Sequence, residues 1–186
     1  MADALQDACA HADQSTVLDQ FGLAQRDYLL ATVHRAENTD DPLRLAAIMQ
    51  GMADTGRRVL FPVHPRTRQA IARAGLVMPA NVLACDPLGY LDLVRALRDA
   101  DLVLTDSGGL QKEAYWLAVP CVTLRDETEW RETVEQGWNH LAGADRGQIA
   151  AAVQRARRLN HRTTLYGGDG RASARIKAEI EGMVWA

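Results

Sequence analysis

The chain has little of what builds disulfide frames, metal centres, membrane spans or nucleic-acid grips. Its three cysteines, Cys9, Cys85 and Cys121, stand far apart and form no CxxC pair. An odd count at such spacing excludes a disulfide scaffold and points to reduced thiols and a cytoplasmic setting. The histidines are equally scattered, so no metal-ligand spacing appears and no metal or cofactor is implied. No apolar run reaches the length of a membrane span. The opening MADALQDACAHADQ is acidic and helical, without a signal-peptide pattern. The net charge is −3, whereas a nucleic-acid binder usually shows a basic face. Arg155, Arg157, Arg158 and Arg162 do gather, at a spacing that reads as the solvated face of a late helix.

What is present is alternation. A chain of 186 residues makes one domain, or a large one with an arm. Strands are expected at Tyr28 to Val33, Val59 to Val63, Val82 to Ala84, Leu102 to Leu104 and Cys121 to Leu124. Between them fall helices from Asp41-Pro42 to Gly56, Arg66 to Ala74, Tyr90 to Asp99, and one opening after Ser107–Gly109. A weaker helix, a short extended piece at Asn139 to Leu141, and helices at Arg146 to Leu159 and Ala172 to Met183 follow. Short apolar strands separated by helices predict an α/β fold: a doubly wound, Rossmann-like parallel sheet. Ligands of such sheets sit at the carboxyl ends of the strands.

Polar clusters fall at those ends. The most informative is Asp106-Ser107-Gly108-Gly109, between an apolar strand and a helix. Glycines there allow close backbone approach, and the helix N-terminus favours an anion such as a diphosphate. Glu113 lies one turn up the same helix face, where a carboxylate can accept from a ribose diol. The alternative is a strand–helix turn that simply needs small residues. His34-Arg35 ends the first strand, pairing a near-neutral proton carrier with a bidentate phosphate grip. Glu37 and Asn38 either join that cluster or cap the next helix. His64 precedes Pro65 and is either a site histidine or one bonded to its own turn. Pro87-Leu88-Gly89-Tyr90 suits a nucleobase loop, although Tyr90 equally fits as a helix-opening residue packed on its own domain. The fifth strand delivers Arg125 with Glu127 and Glu129, which read either as site residues or as a surface pair.

With these pieces assembled, the chain resembles the C-terminal half of the non-hydrolysing UDP-N-acetylglucosamine 2-epimerases. The resemblance is carried by Tyr28-Leu-Leu-Ala-Thr-Val-His-Arg-Ala-Glu-Asn-Thr39, Val63-His-Pro65, Asp106-Ser-Gly-Gly-Leu-Gln-Lys-Glu-Ala114, Arg125-Asp-Glu-Thr-Glu-Trp130 and Glu135-Gln-Gly-Trp-Asn139 with Gly143. It spans nearly the whole chain and implies one half of a two-domain architecture of the glycosyltransferase-B type. It implies that Ser107, Gly108 and Gly109 hold the diphosphate, Glu113 the ribose, and Pro87, Leu88 and Tyr90 the uracil. His34 would act in the active site, and Arg35 and His64 match positions that touch a second, activating UDP-sugar in some members. The implied reaction eliminates UDP from UDP-N-acetylglucosamine, then re-adds it with the opposite configuration at C2 to give UDP-N-acetylmannosamine. The groups acting at C2 belong to the family's N-terminal half, so this chain is expected to be inactive without it.

The resemblance also implies that residues 1–20 form a hinge and lead-in helix, and that the last helix, 172–186, braces the missing half. The Ile176, Ile180 and Val184 stripe would then be partly exposed, which predicts self-association as a homodimer. Three other readings stand beside the epimerase half. They are a UDP-sugar-binding module without catalysis, a hydrolysing epimerase, and a glycosyltransferase donor domain.

Overall fold

The protein is described from a computed structural model, which covers residues 1–160, 163 and 165–182. Six parallel strands form one sheet: β1 Leu29–Thr32, β2 Val59–Pro62, β3 Val82–Cys85, β4 Leu102–Thr105, β5 Cys121–Thr123 and β6 Asn139–Leu141. Their order is β3-β2-β1-β4-β5-β6. The helices are α1 Ala2–His11, α2 Val17–Gln20, α3 Ala36–Thr39, α4 Pro42–Asp54, α5 Pro65–Arg73 and α6 Tyr90–Asp99. They continue as α7 Gly108–Trp116, α8 Arg131–Glu135, α9 Arg146–Arg155 and α10 Ala172–Gly182. The expected doubly wound α/β fold is therefore the observed one. The extended piece at Asn139 is a full sixth strand, paired in parallel with β5.

Side-chain alternation along the strands separates two cores. Leu29, Ala31, Phe61, Leu102 and Leu104 face one layer, where Ile48 and Met52 of α4 and Ile149 of α9 cover them. Tyr28, Leu30, Leu60 and Val103 face the other, under Leu97 of α6 and Ala114 of α7. All these side chains are buried, each fully buried leucine contributing about 1.5–3 kcal/mol. The helices enter on local signals. Asp41 caps α4, accepting from Leu43 N at 2.8 Å with Pro42 next, and Asp145 caps α9 through Gln148 N at 2.7 Å.

Three local expectations need correction. β4 runs on to Thr105, and β1 closes on Thr32 in register with it. An apolar count stops β4 one residue early because Thr105 is polar yet sits inside the ladder, whereas β1 is one residue shorter at each end than the expected Tyr28 to Val33. α9 stops at Arg155, where Ala156 turns extended. Arg157 and Arg158 therefore do not share a solvated helical face with Arg155. Arg158 reaches the carbonyls of Ala118 at 2.6 Å and Ala100 at 2.7 Å, and burial lowers its pKa. Arg162 lies outside the described residues.

α1 and α10 meet at Asp3, whose carboxylate accepts from Ala172 N at 3.1 Å and Ser173 N at 2.8 Å. No described residue of α10 is buried, and Ile176 and Ile180 are exposed as expected; Val184 lies outside the described residues. No helix among the described residues is long and apolar enough to cross a membrane.

Candidate functional site

In the order 3-2-1-4-5-6 the chain leaves β1 toward β2 and β4 toward β5, so a crevice opens between the carboxyl ends of β1 and β4. Thr32 and Thr105 stand opposite each other there, their hydroxyls 2.6 Å apart. Just past them lie His34 and Asp106. Asp106 is fully buried. Its carboxylate accepts from the backbone N–H of His34 at 3.0 Å and of Arg35 at 2.9 Å, and from Asn38 Nδ2 at 3.1 Å. The imidazole Nδ1 of His34 is a further 3.0 Å contact, to Oδ1. Burial by itself raises the pKa of a carboxyl group, but these donors outweigh it and hold Asp106 below the usual carboxylate range. One side chain just past β4 thus organises the whole loop after β1. Asn38 extends the strut, donating also to Leu124 O at 2.9 Å and accepting from Arg44 Nε at 3.2 Å.

The crevice holds a cavity of about 290 Å³ lined by His34, His64, Pro87, Leu88, Ser107, Gly109 and Glu113, among others. On one wall Ser107 caps α7. The backbone N–H groups of Gly108 and Gly109 open that helix, where no preceding turn supplies carbonyls to receive them. Glu113 is buried one turn further along and accepts from Tyr90 Oη at 3.0 Å. Burial raises its pKa; the Tyr90 bond acts against this without cancelling it. On the opposite wall the His64 ring lies 5.8 Å from that of His34. Its Nδ1 accepts from Arg66 N at 3.2 Å, capping α5.

The UDP-N-acetylglucosamine 2-epimerase family matches residues 1–181. The chain belongs to that family. It is similar to the UDP-2,3-diacetamido-2,3-dideoxy-D-glucuronate 2-epimerase of Pseudomonas aeruginosa, 44% identical over 95% of this chain and 50% of the relative. Among solved structures, the UDP-N-acetylglucosamine 2-epimerase of Methanocaldococcus jannaschii in complex with UDP-GlcNAc and UDP superposes with a TM-score of 0.82 at 34% identity, covering 96% of this chain and 52% of that one. The Neisseria meningitidis enzyme bound to UDP-GlcNAc gives 0.82 at 26% identity, over 97% of this chain and 53% of that one. The chain spans about half the length of the relatives it matches.

In this epimerase-family chain the expected site residues separate into two groups. His34, His64, Pro87, Leu88, Ser107, Gly109 and Glu113 share the cavity, drawn from the ends of four strands. Arg35, Gly108 and Tyr90 are not among its lining. Tyr90 is half-exposed and reaches the cavity wall only through Glu113. Gly108 turns toward Arg35 and Trp130, whose Nε1 donates to Gly108 O at 2.8 Å. The Trp130 ring also lies 4.4 Å from Lys112 Nζ.

The fifth cluster does not join the other four. Arg125 is buried, bonded to Glu129 at 2.9 Å and 3.3 Å from Glu37, so its partners include Glu129 but it is no surface pair. With Arg44, Asp126 and Asp145 it lines a separate polar cavity of about 400 Å³. The cause is topological: β5 and β6 lie outboard of β4, with the Asp106–Asn38–Leu124 strut between. Sequence reasoning did not assign Thr32, Val33, Pro62, Leu93 and Leu110 as lining residues. Leu93 alone carried a signal, at helical spacing from Tyr90. Asp106 was seen only as one member of a polar cluster, although an acid closing an apolar strand is itself unusual.

Proposed function

We propose that this chain is the UDP-holding half of a UDP-N-acetylhexosamine 2-epimerase. The observation that carries the reading is the switch-point cavity, where the open N-terminus of α7, a buried glutamate and a Pro-Leu loop meet in an epimerase-family chain. Gly108 and Gly109 N–H groups and the α7 dipole suit the diphosphate. The Glu113 oxygen not held by Tyr90 suits a ribose hydroxyl, and Pro87 and Leu88 suit the flat face of uracil. In this reading UDP leaves C1 as a proton leaves C2; UDP then returns to C1 on the face it left, while a proton is delivered to the opposite face of C2. Stabilising the departing diphosphate with preorganised donors is the work of this half, and the proton transfer at C2 belongs to the other. His34 and Ser107 face the departing group. A second UDP-sugar near His64 and Arg35, a cytoplasmic site of action, and pairing of two copies through the exposed Ile176 and Ile180 face belong to the same proposal.

Calorimetric titration with UDP, with ADP as control, tests the half-site. Uridine-selective binding supports it, and equal affinity for both sinks it. Supplying an N-terminal half separates an epimerase half from a binding module, since only the former gains turnover. The Pseudomonas aeruginosa relative favours a second substrate, a UDP-2,3-diacetamido-2,3-dideoxyuronate. Assaying it beside UDP-N-acetylglucosamine decides which sugar is turned over.

A further inference from the structure

We propose that Asp106 is the positioning residue of the cavity: it fixes His34 with a proton on Nδ1 and directs Nε2 at the bound anion. The inference rests on the functional reading above only for the identity of that anion. Three observations carry it. First, Asp106 Oδ1 lies 3.0 Å from His34 Nδ1. An ionised carboxylate only accepts, so the nitrogen facing it bears the hydrogen. Second, the carboxylate cannot turn away. It is fully buried, and its two oxygens also receive the N–H groups of His34 and Arg35 and the amide of Asn38. The same group therefore holds the backbone of His34 and its ring, which makes the ring's aim a property of β4 and not of the loop. Third, Nε2 makes no hydrogen bond among the described residues, and the partly exposed ring lines the cavity with Ser107 and His64.

A buried carboxylate behind an imidazole does two things: it selects the tautomer and it stabilises the imidazolium. Here the consequence is that a phosphate oxygen entering the cavity receives a hydrogen bond from Nε2–H of the cation, while Asp106 balances the charge from behind. His34 forms no covalent bond to the ligand; the one change there is the uptake of a proton from solvent at Nε2 as the anion enters. The neighbouring His64 has its Nδ1 committed to Arg66 N and has no carboxylate partner among the described residues.

The test is long-range ¹H–¹⁵N NMR of the chain labelled at histidine, with His34 assigned by its loss in His34→Gln. The expected signature is a protonated Nδ1 in the unliganded chain and protonation of both nitrogens when UDP is added. A proton on Nε2 alone in the unliganded chain overturns the proposal. Asp106→Asn keeps an oxygen for the Arg35 and Asn38 donors and turns an NH₂ toward Nδ1, so it should move the proton to Nε2. In calorimetry with UDP, Asp106→Asn and His34→Gln should each weaken binding roughly tenfold or more. The double variant should be no more than about twofold weaker than His34→Gln alone, because the two residues act as one unit. Fully additive losses would overturn the coupling. A wild-type chain that shows the Nδ1 proton but binds no UDP sinks the functional reading while upholding the role of Asp106.

Discussion

Two adjacent strand tips each end in a histidine, and the fold uses them in opposite ways. At the tip of β1, His34 is gripped from behind by a buried acid that directly follows β4, leaving its other nitrogen toward the cavity. At the tip of β2, His64 spends its Nδ1 on the first turn of α5. The rings are only 5.8 Å apart, so position at the sheet edge does not distinguish them. What distinguishes them is the partner behind each ring: a fixed charge that leaves the imidazole free to act forward, or a backbone N–H that turns it into a cap.

The comparison breaks most visibly at Asp106. Asp106→Ala leaves His34 N, Arg35 N and Asn38 Nδ2 without their acceptor at a buried site, and should destabilise the chain by about 3 kcal/mol or more. Urea denaturation measures it. The pH dependence follows from the same bonds. The folded-state pKa of Asp106 is held below its ordinary value, so its contribution is present above the usual aspartate range and lost as pH falls through the folded value. The stability gap between wild type and Asp106→Ala should therefore narrow in acid. A gap that widens in acid would mean the carboxylate is not the organising charge.

Glu113 sharpens the comparison from the opposite wall, where a buried acid faces forward itself. Glu113→Ala should weaken UDP binding by roughly 1.5–3 kcal/mol in calorimetry, with little change in the β1 tip. Because burial raises its pKa, the accepting carboxylate form should be lost on mild acidification, above the pH at which an exposed glutamate protonates. Glu113→Gln should remove that part of the pH dependence of binding; an unchanged profile in the variant would count against the ribose assignment. His64→Ala gives the smallest effect, a cost of about 0.5–1 kcal/mol in thermal unfolding from the lost cap, with UDP affinity near wild type. If His64→Ala instead costs affinity as heavily as His34→Gln, the two tips are equivalent and the distinction fails.

Much of this was legible in the sequence because it is local. The Asp41-Pro42 and Ser107-Gly108 helix starts, the apolar strands and the Glu113 spacing each depend on residues within a turn of one another. The cavity's membership was legible for seven residues because the carboxyl ends of parallel strands collect ligands whatever the loops are. What escaped is non-local. His34 and Asp106 meet although they lie 72 positions apart in the sequence, and Arg125 is diverted from the cavity by the place of β5 in the sheet. Neither the tautomer of a histidine nor the order of strands has a sequence period to read. Arg158, likewise, looked like surface charge until Ala100 and Ala118 brought their carbonyls to it.

Trp130 gives the protein a built-in optical probe. Its indole is hydrogen-bonded to the carbonyl of Gly108, which opens α7, and lies beside the Lys112 ammonium one turn further along. Indole emission responds to nearby charge and to a change in its hydrogen bond, so an anion drawing Gly108 forward should shift the colour and intensity of this residue. Trp138 is sealed in the interior, but Trp116 lies 5.2 Å from the same Lys112 ammonium and the chain holds a fourth tryptophan, so Trp116→Phe with Trp185→Phe isolates the signal of Trp130. Occupancy of the cavity can thus be followed in real time without a label.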